Sequence, residues 1–323
     1  MDLTTSYMGL QLACPLVVSA CPLSRDLQTV RQLEQAGAGA IVLFSLFEEQ
    51  VVRGEIVDGG WQALGDGSPD IADGEFCIDP QGYLDHIRRA KQAVDIPIIA
   101  SLNVGSRGRW KQYAHLMEEA GADAIELDLY RIAAEPTIDS LTIEDIYRDI
   151  VADVKATVSV PVAVKLAPYF TALATIAARL DEAGADALVL FNRFYQPSID
   201  IERRRLVMNL DLSSPADARL PLMWTALLKG QVNASLGASG GVHSAADAIR
   251  MTMAGADCIM LCSTLLRNGV EQLTTIRRDM ETWLETHGHD RVDDIRGVLS
   301  RVRLGGSSDY LRAGYAKVLA RYW

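Results

Sequence analysis

The tripeptide Ala-Gly-Ala occurs four times in this chain, at Ala36-Gly37-Ala38, Ala120-Gly121-Ala122, Ala183-Gly184-Ala185 and Ala254-Gly255-Ala256. Each copy follows a stretch of helical periodicity and precedes an apolar run: Ile41–Phe44, Ile125–Leu129, Leu188–Phe191 and Ile259–Leu261. Glycine lets a helix end in a left-handed turn, and small neighbours let that turn sit close beneath the next strand. Successive copies lie 84, 63 and 71 residues apart. That is about twice the roughly 36 residues of one strand with its crossover helix, so the phrase marks every second strand.

Proline marks the strands between. Pro15, Pro97 and Pro161 open the runs Leu16–Val18, Ile98–Ala100 and Val162–Val164, and a proline at the start of a strand costs no ladder hydrogen bond. A further run, Val232–Gly237, lacks the proline. Eight strands alternating with helices predict an α/β fold of the (β/α)8 TIM-barrel type. A doubly wound open sheet is the alternative, but no nucleotide fingerprint accompanies the repeats. The 323 residues suit one barrel with insertions. We expect the barrel over 1–285 and a helical extension, packed on it, over 286–323. Within the barrel, helices are expected at Asp26–Gln35, Pro80–Val94, Arg109–Glu119, Ala172–Glu182, Pro215–Lys229 and Ala245–Met253, and another from Thr142. Strand seven is expected at Val232–Ala238. Two long insertions stand out. Leu46–Asp79 follows strand two and reads as a lid over the C-terminal rim or as a decorative excursion. Phe194–Leu220 reads as an excursion with a hairpin of short strands.

The net charge of −11 disfavours nucleic acid and acidic membrane surfaces as partners. It leaves room for a small anion in a local basic pocket. The five cysteines, Cys14, Cys21, Cys77, Cys258 and Cys262, show no paired or Cys-x-x-Cys spacing, so free thiols in a reducing compartment are expected and no metal site. The N-terminus has no basic segment followed by an apolar one, and no apolar run reaches membrane-spanning length. A cytoplasmic location is expected.

The chemistry-bearing residues fall at predicted strand ends. Gly237-Ala238-Ser239-Gly240-Gly241-Val242 leads from strand seven towards a helix with Ser244 as its cap, and Leu261-Cys262-Ser263-Thr264 ends strand eight. Glycine-rich turns and helix N-termini offer backbone N–H groups to phosphate, and barrels use the loops after strands seven and eight for this. A tight turn that merely needs glycine is the alternative. Lys165 ends an otherwise apolar strand, either as a cation beside a cofactor or as a lysine reaching solvent. Asn103 and Asn192 offer amides at the ends of strands three and six. Glu126 and Asp128 share one face of strand four, as a proton acceptor or as part of an ion pair. Arg131 and Arg193 are candidates for a substrate carboxylate or ordinary surface arginines. Cys21 is a nucleophile candidate that reads better as a packed thiol. His243 lies beside the glycine turn.

At these residues the chain resembles the dihydroorotate dehydrogenase superfamily of flavin mononucleotide barrels. The likeness runs over about residues 3–285. It is carried by Cys14-Pro15-Leu16-Val17-Val18-Ser19-Ala20, Val162-Ala163-Val164-Lys165-Leu166-Ala167-Pro168, Phe191-Asn192, Ser239-Gly240-Gly241-Val242 and Cys262-Ser263-Thr264. Two longer phrases, Ser45-Leu46-Phe47-Glu48-Glu49-Gln50 and Leu190-Phe191-Asn192-Arg193-Phe194-Tyr195-Gln196-Pro197, are similar to a branch of dihydroorotate dehydrogenase-like proteins. The resemblance implies FMN as cofactor, with Lys165 at the flavin pyrimidine edge. It implies Ser239, Gly240, Gly241, Cys262 and Ser263 around the phosphate, Ser19 and Ala20 along the ring system, and Ser45, Asn103, Asp128 and Asn192 completing the shell. It also implies a small-molecule substrate and a homodimer.

The same resemblance exposes departures. Where the family reads Glu-Leu-Asn and then a Ser-Cys-Pro-Asn loop or its Ser-base variant, this chain reads Glu126-Leu127-Asp128-Leu129-Tyr130-Arg131-Ile132-Ala133. Arg131 stands at the proton acceptor. Asp128 and Ala133 stand at two substrate-binding Asn positions, and Phe44 stands where a Lys is expected. The altered base predicts an FMN-dependent oxidoreductase acting on a small anionic substrate other than dihydroorotate. Lys165, Asp128, Tyr130 and Arg131 are its candidate catalytic residues, and Asn192, Arg193 and Arg131 its candidate substrate contacts. A catalytically silent flavin- or phosphate-binding relative is one alternative. A non-flavin barrel lyase with a Schiff base at Lys165 is another.

Overall fold

All four Ala-Gly-Ala turns adopt the backbone that their glycines permit. Gly37, Gly121, Gly184 and Gly255 have φ of 94°, 97°, 100° and 122°, so each ends its helix in the left-handed region closed to most side chains. The computed structural model describes residues 1–52, 54–57, 60–63, 79–106, 108 and 110–321.

Eight parallel strands close into a ring: β1 (Leu16–Val18), β2 (Ala40–Val42), β3 (Ile98–Val104), β4 (Ala124–Leu129), β5 (Val162–Leu166), β6 (Ala187–Leu190), β7 (Ser235–Ser239) and β8 (Cys258–Leu261). Each pairs with its neighbour in chain order, and β8 closes on β1 through Ile259 opposite Leu16 and Leu261 opposite Val18. Helices α1 (Leu27–Gln35), α2 (Pro80–Ala93), α3 (Trp110–Glu119), α4 (Ser140–Lys155), α5 (Leu173–Glu182), α6 (Arg219–Leu228), α7 (Ala245–Ala254) and α8 (Glu271–Thr286) surround it. The fold is a (β/α)8 barrel. Strand seven starts at Ser235, later than the apolar run suggests, because Val232 is used in a tight bridge with Lys229.

Alternation sorts each strand between two cores. The outward set packs under the helices. The inward set, which includes Val17, Val42, Ile99, Val189 and Met260, fills the barrel. Its lower positions are small: Ala40, Ala124, Ala163 and Ala187. The space they leave is taken by Tyr7, Met8 and Leu12 of an N-terminal hairpin, Thr5–Tyr7 paired with Leu10–Leu12, so the hairpin plugs the N-terminal end.

A repeated polar device ties that end together. The residue after three of the Ala-Gly-Ala turns is aspartate, and each accepts two kinds of donor. Asp123 takes the Ile98 N–H (2.7 Å) and Lys91 Nζ (2.7 Å). Asp186 takes the Val162 N–H (2.7 Å) and Lys155 Nζ (2.6 Å). Asp257 takes the Leu236 N–H (2.8 Å) and Lys229 Nζ (2.8 Å). Each carboxylate thus joins the start of an odd strand to the next even strand and to the end of the helix that precedes the odd strand. At the first turn the position is Gly39, where a Cβ would lie 2.1 Å from the Cys14 carbonyl oxygen, so no side chain fits.

Of the expected lid, the part at 53, 58–59 and 64–78 lies outside the described residues. Within it, Leu46–Phe47 pairs with the end of β3, and Gly54–Val57 pairs antiparallel with Gly60–Ala63. The expected hairpin in the second insertion is Ser198–Asp200 against Arg205–Val207. Beyond α8, the chain clasps the plugged end. Val292 and Ile295 are buried, the Arg296 guanidinium reaches Thr5 Oγ1 (2.8 Å), and the Arg301 N–H donates to the Ala226 carbonyl (2.9 Å). The last helix, α9 (Arg312–Leu319), buries no residue, so close packing of this extension stops well before its end.

Asp186→Ala is expected to destabilise the fold by about 1–3 kcal/mol, because it leaves the Val162 N–H without an acceptor. Lys155→Met is expected to cost less than about 1 kcal/mol, since the ion pair is partly solvated. Urea unfolding of both variants checks this, and equal losses would refute the carboxylate-to-backbone account.

Candidate active site

The C-terminal ends of five strands surround a cavity of about 510 Å³, within the range of small-molecule and cofactor sites. Its walls are Ser19–Pro22 after β1, Lys165 on β5, Asn192 and Arg193 after β6, Ser239–Val242 at the end of β7, and Cys262 and Ser263 after β8. Nine of the residues expected at the cofactor or substrate therefore come together: Ser19, Ala20, Lys165, Asn192, Arg193, Ser239, Gly240, Gly241 and Ser263. Cys262 is the tenth.

Lys165 is the buried charge of a wall that also carries Arg193, Asp211 and Asp217. The lysine is 5% exposed, and its ammonium lies 3.7 Å from Glu126 Oε1, beyond hydrogen-bond reach. Burial opposes the charge, but Glu126 and Asp128 outweigh it and hold the lysine protonated, its pKa above the ordinary value. Behind Glu126 a short polar chain runs outward. Ser101 Oγ donates to Glu126 Oε1 (3.4 Å) and lies 2.9 Å from Ser45 Oγ. Ser45 thus supports Glu126 rather than lining the cavity. Ser101 escapes a reading by motif; its only signal is an inward position two residues before Asn103.

Asp128 sits under Asn192. The Asn192 amide donates to both its oxygens (2.7 and 2.9 Å), and Asn103 Nδ2 donates to one (3.1 Å). A carboxylate only accepts, so this contact fixes the Asn192 amide nitrogen on Asp128 and leaves its Oδ1 as the free acceptor. Burial pushes the Asp128 carboxyl up to about 6, against the lowering pull of Lys165.

The glycine turn after β7 is open on one side only. At Gly240 (φ 99°) a Cβ would meet nothing within 4 Å, whereas at Gly241 (φ 76°) it would lie 2.2 Å from the Ala218 backbone nitrogen. Ser213, from the second insertion, stitches this turn to β8. Its hydroxyl accepts the Gly241 N–H (3.2 Å), and its own N–H donates to Ser263 Oγ (3.0 Å). Nothing in the sequence around Ser213 announces this.

The remaining candidates lie apart. Tyr130 stacks on Phe194 (4.8 Å between centroids) and its hydroxyl accepts the Tyr195 N–H, so it stands behind the wall. Arg131 pairs with Glu135 at 3.8 Å and does not line the cavity. Arg193 does line it, but its guanidinium is held by Asp217 (3.0 Å) and the Asp211 carbonyl (2.7 Å). Cys21 is buried against the cavity and beside Cys262. His243 donates its backbone N–H to Asp247 and is not a wall residue.

Comparison with known proteins now gives the class. Residues 81–284 match the family model described as dihydroorotate dehydrogenase, and the chain belongs to that family. It is 28% identical over 312 residues to the catalytic subunit of dihydroorotate dehydrogenase B (NAD(+)) of Thermoplasma volcanium, covering 92% of this chain and 98% of that one. Against the protein of the same name from Methanothermobacter thermautotrophicus it is 26% identical over 309 residues, covering 92% and 98%. Among the described residues no helix is long and apolar enough to cross a membrane.

Asp128 generates a pH prediction. Its folded-state pKa of about 6 lies above the ordinary value of 3.8, so the folded chain holds this proton where the unfolded chain has lost it. The fold therefore loses stability as pH rises from about 4 to about 6, by about 3 kcal/mol at most. Asp128→Asn is expected to remove that loss: relative to the parent, its Tm rises more at pH 8 than at pH 4. Parallel Tm profiles for parent and variant would refute it.

Proposed function

We propose that this protein is an FMN-dependent oxidoreductase acting on a small anionic substrate other than dihydroorotate. The observation that carries the reading is Lys165. A buried, protonated lysine faces a cavity of cofactor size, and its carboxylate neighbour lies too far to take a hydrogen bond. Such a donor suits the electron-rich edge of a flavin ring.

The residues present fit the group. Gly240, Gly241, Ser239, Cys262 and Ser263 would hold the phosphate, where the open side of Gly240 leaves room for it. Ser19 and Ala20 would line the ring system and Lys165 its pyrimidine edge, with Ser45, Asn103, Asp128 and Asn192 in the surrounding polar shell. When bound, the flavin would supply two-electron redox chemistry. The chain's own part is placement and charge. Lys165 holds a fixed positive charge in a site of low polarity. Asp128 orients the Asn192 amide and, with a pKa near neutrality, can hold or release a proton. Arg193 offers its guanidinium to a substrate carboxylate in competition with Asp217. Phe191, Phe194 and Tyr169 add aromatic surface to the lining.

The departure from dihydroorotate rests on Arg131. By the resemblance it would stand at the position of the family's thiol or hydroxyl base, and it pairs with Glu135. The lyase alternative loses support, because a Schiff-base lysine must shed its proton and Lys165 is held protonated.

The test is an absorbance spectrum of purified protein after incubation with FMN and desalting. Retained flavin bands are expected, with affinity about 10- to 100-fold weaker in Lys165→Met, as for a lost charge-assisted hydrogen bond. Protein that stays colourless overturns the reading. Bound flavin that no donor reduces would leave the silent relative. Turnover of dihydroorotate would overturn the substrate assignment alone.

A further inference from the structure

Two thiols meet in the cavity wall. Cys21 follows β1 and Cys262 follows β8, the first and last strands of the barrel. These strands are paired, with the Ser19 N–H donating to the Leu261 carbonyl at 2.9 Å. The pairing brings together residues 241 positions apart in the chain. Both side chains line the cavity, and both are free thiols. The two thiols are neighbours, close enough that each governs the other's titration. The ammonium of Lys165 faces both.

We propose that Cys21 and Cys262 form a redox-active dithiol, which a peroxide converts to a disulfide across the barrel seam. The flavin reading gives neither thiol this role, and the inference holds whichever cofactor fills the cavity.

The roles of the two sulfurs differ. The neighbouring Cys21 thiol, with Lys165 adding its charge, holds the Cys262 thiol below its ordinary pKa in spite of burial. The same contact and burial push the Cys21 thiol up. Cys262 is therefore the attacking thiolate, and Cys21 the resolving thiol that keeps its proton until the second step. The Cys262 sulfur attacks one peroxide oxygen. The O–O bond breaks, and the departing hydroxide takes a proton to leave as water, giving a sulfenic acid at Cys262. The Cys21 sulfur then attacks the Cys262 sulfur. The S–O bond breaks, and the hydroxyl leaves as a second water with the Cys21 proton. Two thiols lose two electrons, and one peroxide becomes two waters.

The other described cysteines lack this arrangement. Cys14 is buried, with its thiol on the Gly37 carbonyl (3.0 Å). Cys258 lies in the lower barrel core with Tyr7.

The test uses the whole protein and hydrogen peroxide. Thiols are counted in denaturant before and after treatment, and intact mass and peptide mapping follow. The expected result is a fall from the five cysteines of the sequence to three free thiols, with loss of two hydrogen atoms. A Cys21–Cys262 cross-linked peptide should appear, and dithiothreitol should restore all five. Cys21→Ser should stop oxidation at the sulfenic acid of Cys262, trapped by dimedone, whereas Cys14→Ser should leave the cross-link intact. Five thiols after treatment would overturn the proposal. So would a cross-link mapped to any other pair, or oxygen added to Cys262 of the unmodified chain without a link to Cys21.

Discussion

Asp123, Asp186 and Asp257 each satisfy an N–H near the start of one strand while holding the lysine at the end of the helix that precedes that strand. The start of a barrel strand is where the ladder runs out of partners, and an N–H left there without an acceptor costs about 1–3 kcal/mol. A carboxylate that takes this N–H and an ammonium fixes strand, turn and helix in one contact. Glu34, Glu118 and Asp181 do a related job one layer further out. They accept the backbone N–H groups of Asp95 and Ile96, of Ser159 and Val160, and of Asn233 and Ala234. With the Tyr7 plug and the Arg296 clasp, the N-terminal end is overdetermined. The opposite rim is thereby free to carry insertions and an irregular cavity, the division of labour typical of barrels.

The cavity's charge follows from a second cluster. Lys165, Glu126 and Asp128 are all almost fully buried. An apolar trio of similar volume would often pack there at least as stably, so folding alone does not account for them. Their order along the barrel does. Glu126 lies behind the lysine with the Ser101–Ser45 chain at its back. Asp128 lies one layer nearer the rim under Asn192. Both carboxylates keep the ammonium charged, and Asp128 also fixes which way an amide faces. Both act on the cavity without lining it.

The barrel was legible because its punctuation is local. A positive-φ glycine and a strand-opening proline act within a few residues, so the four turns and most strands follow from their neighbourhoods. The aspartate after the turn was equally visible in the sequence, yet its meaning was not: its partners Ile98 and Lys91 come from other elements. Strand seven was placed early because Val232 has the composition of a strand and the job of a bridge. At the site, residues at strand ends were found because strand ends converge in a barrel. Ser213 was missed because it arrives from an insertion, and Ser101 because a lone inward serine carries no motif. Arg131 and Arg193 show the converse limit. Their type suggests an anion site, but only coordinates reveal that Glu135 and Asp217 already hold them.

The cavity draws its walls from β5 to β8 and from β1, so it spans the seam where the ring closes. Closure brings residues 16–22 against 258–266, a contact of very high sequence separation. Such contacts carry a large loop-closure cost in folding. A ring open at this seam would separate Lys165 and the glycine turn from the Ser19–Ala20 wall. A ligand that needs both sides of the seam binds only the closed ring, and by linkage its binding energy stabilises closure. The site and the closure of the ring are in this sense one structure.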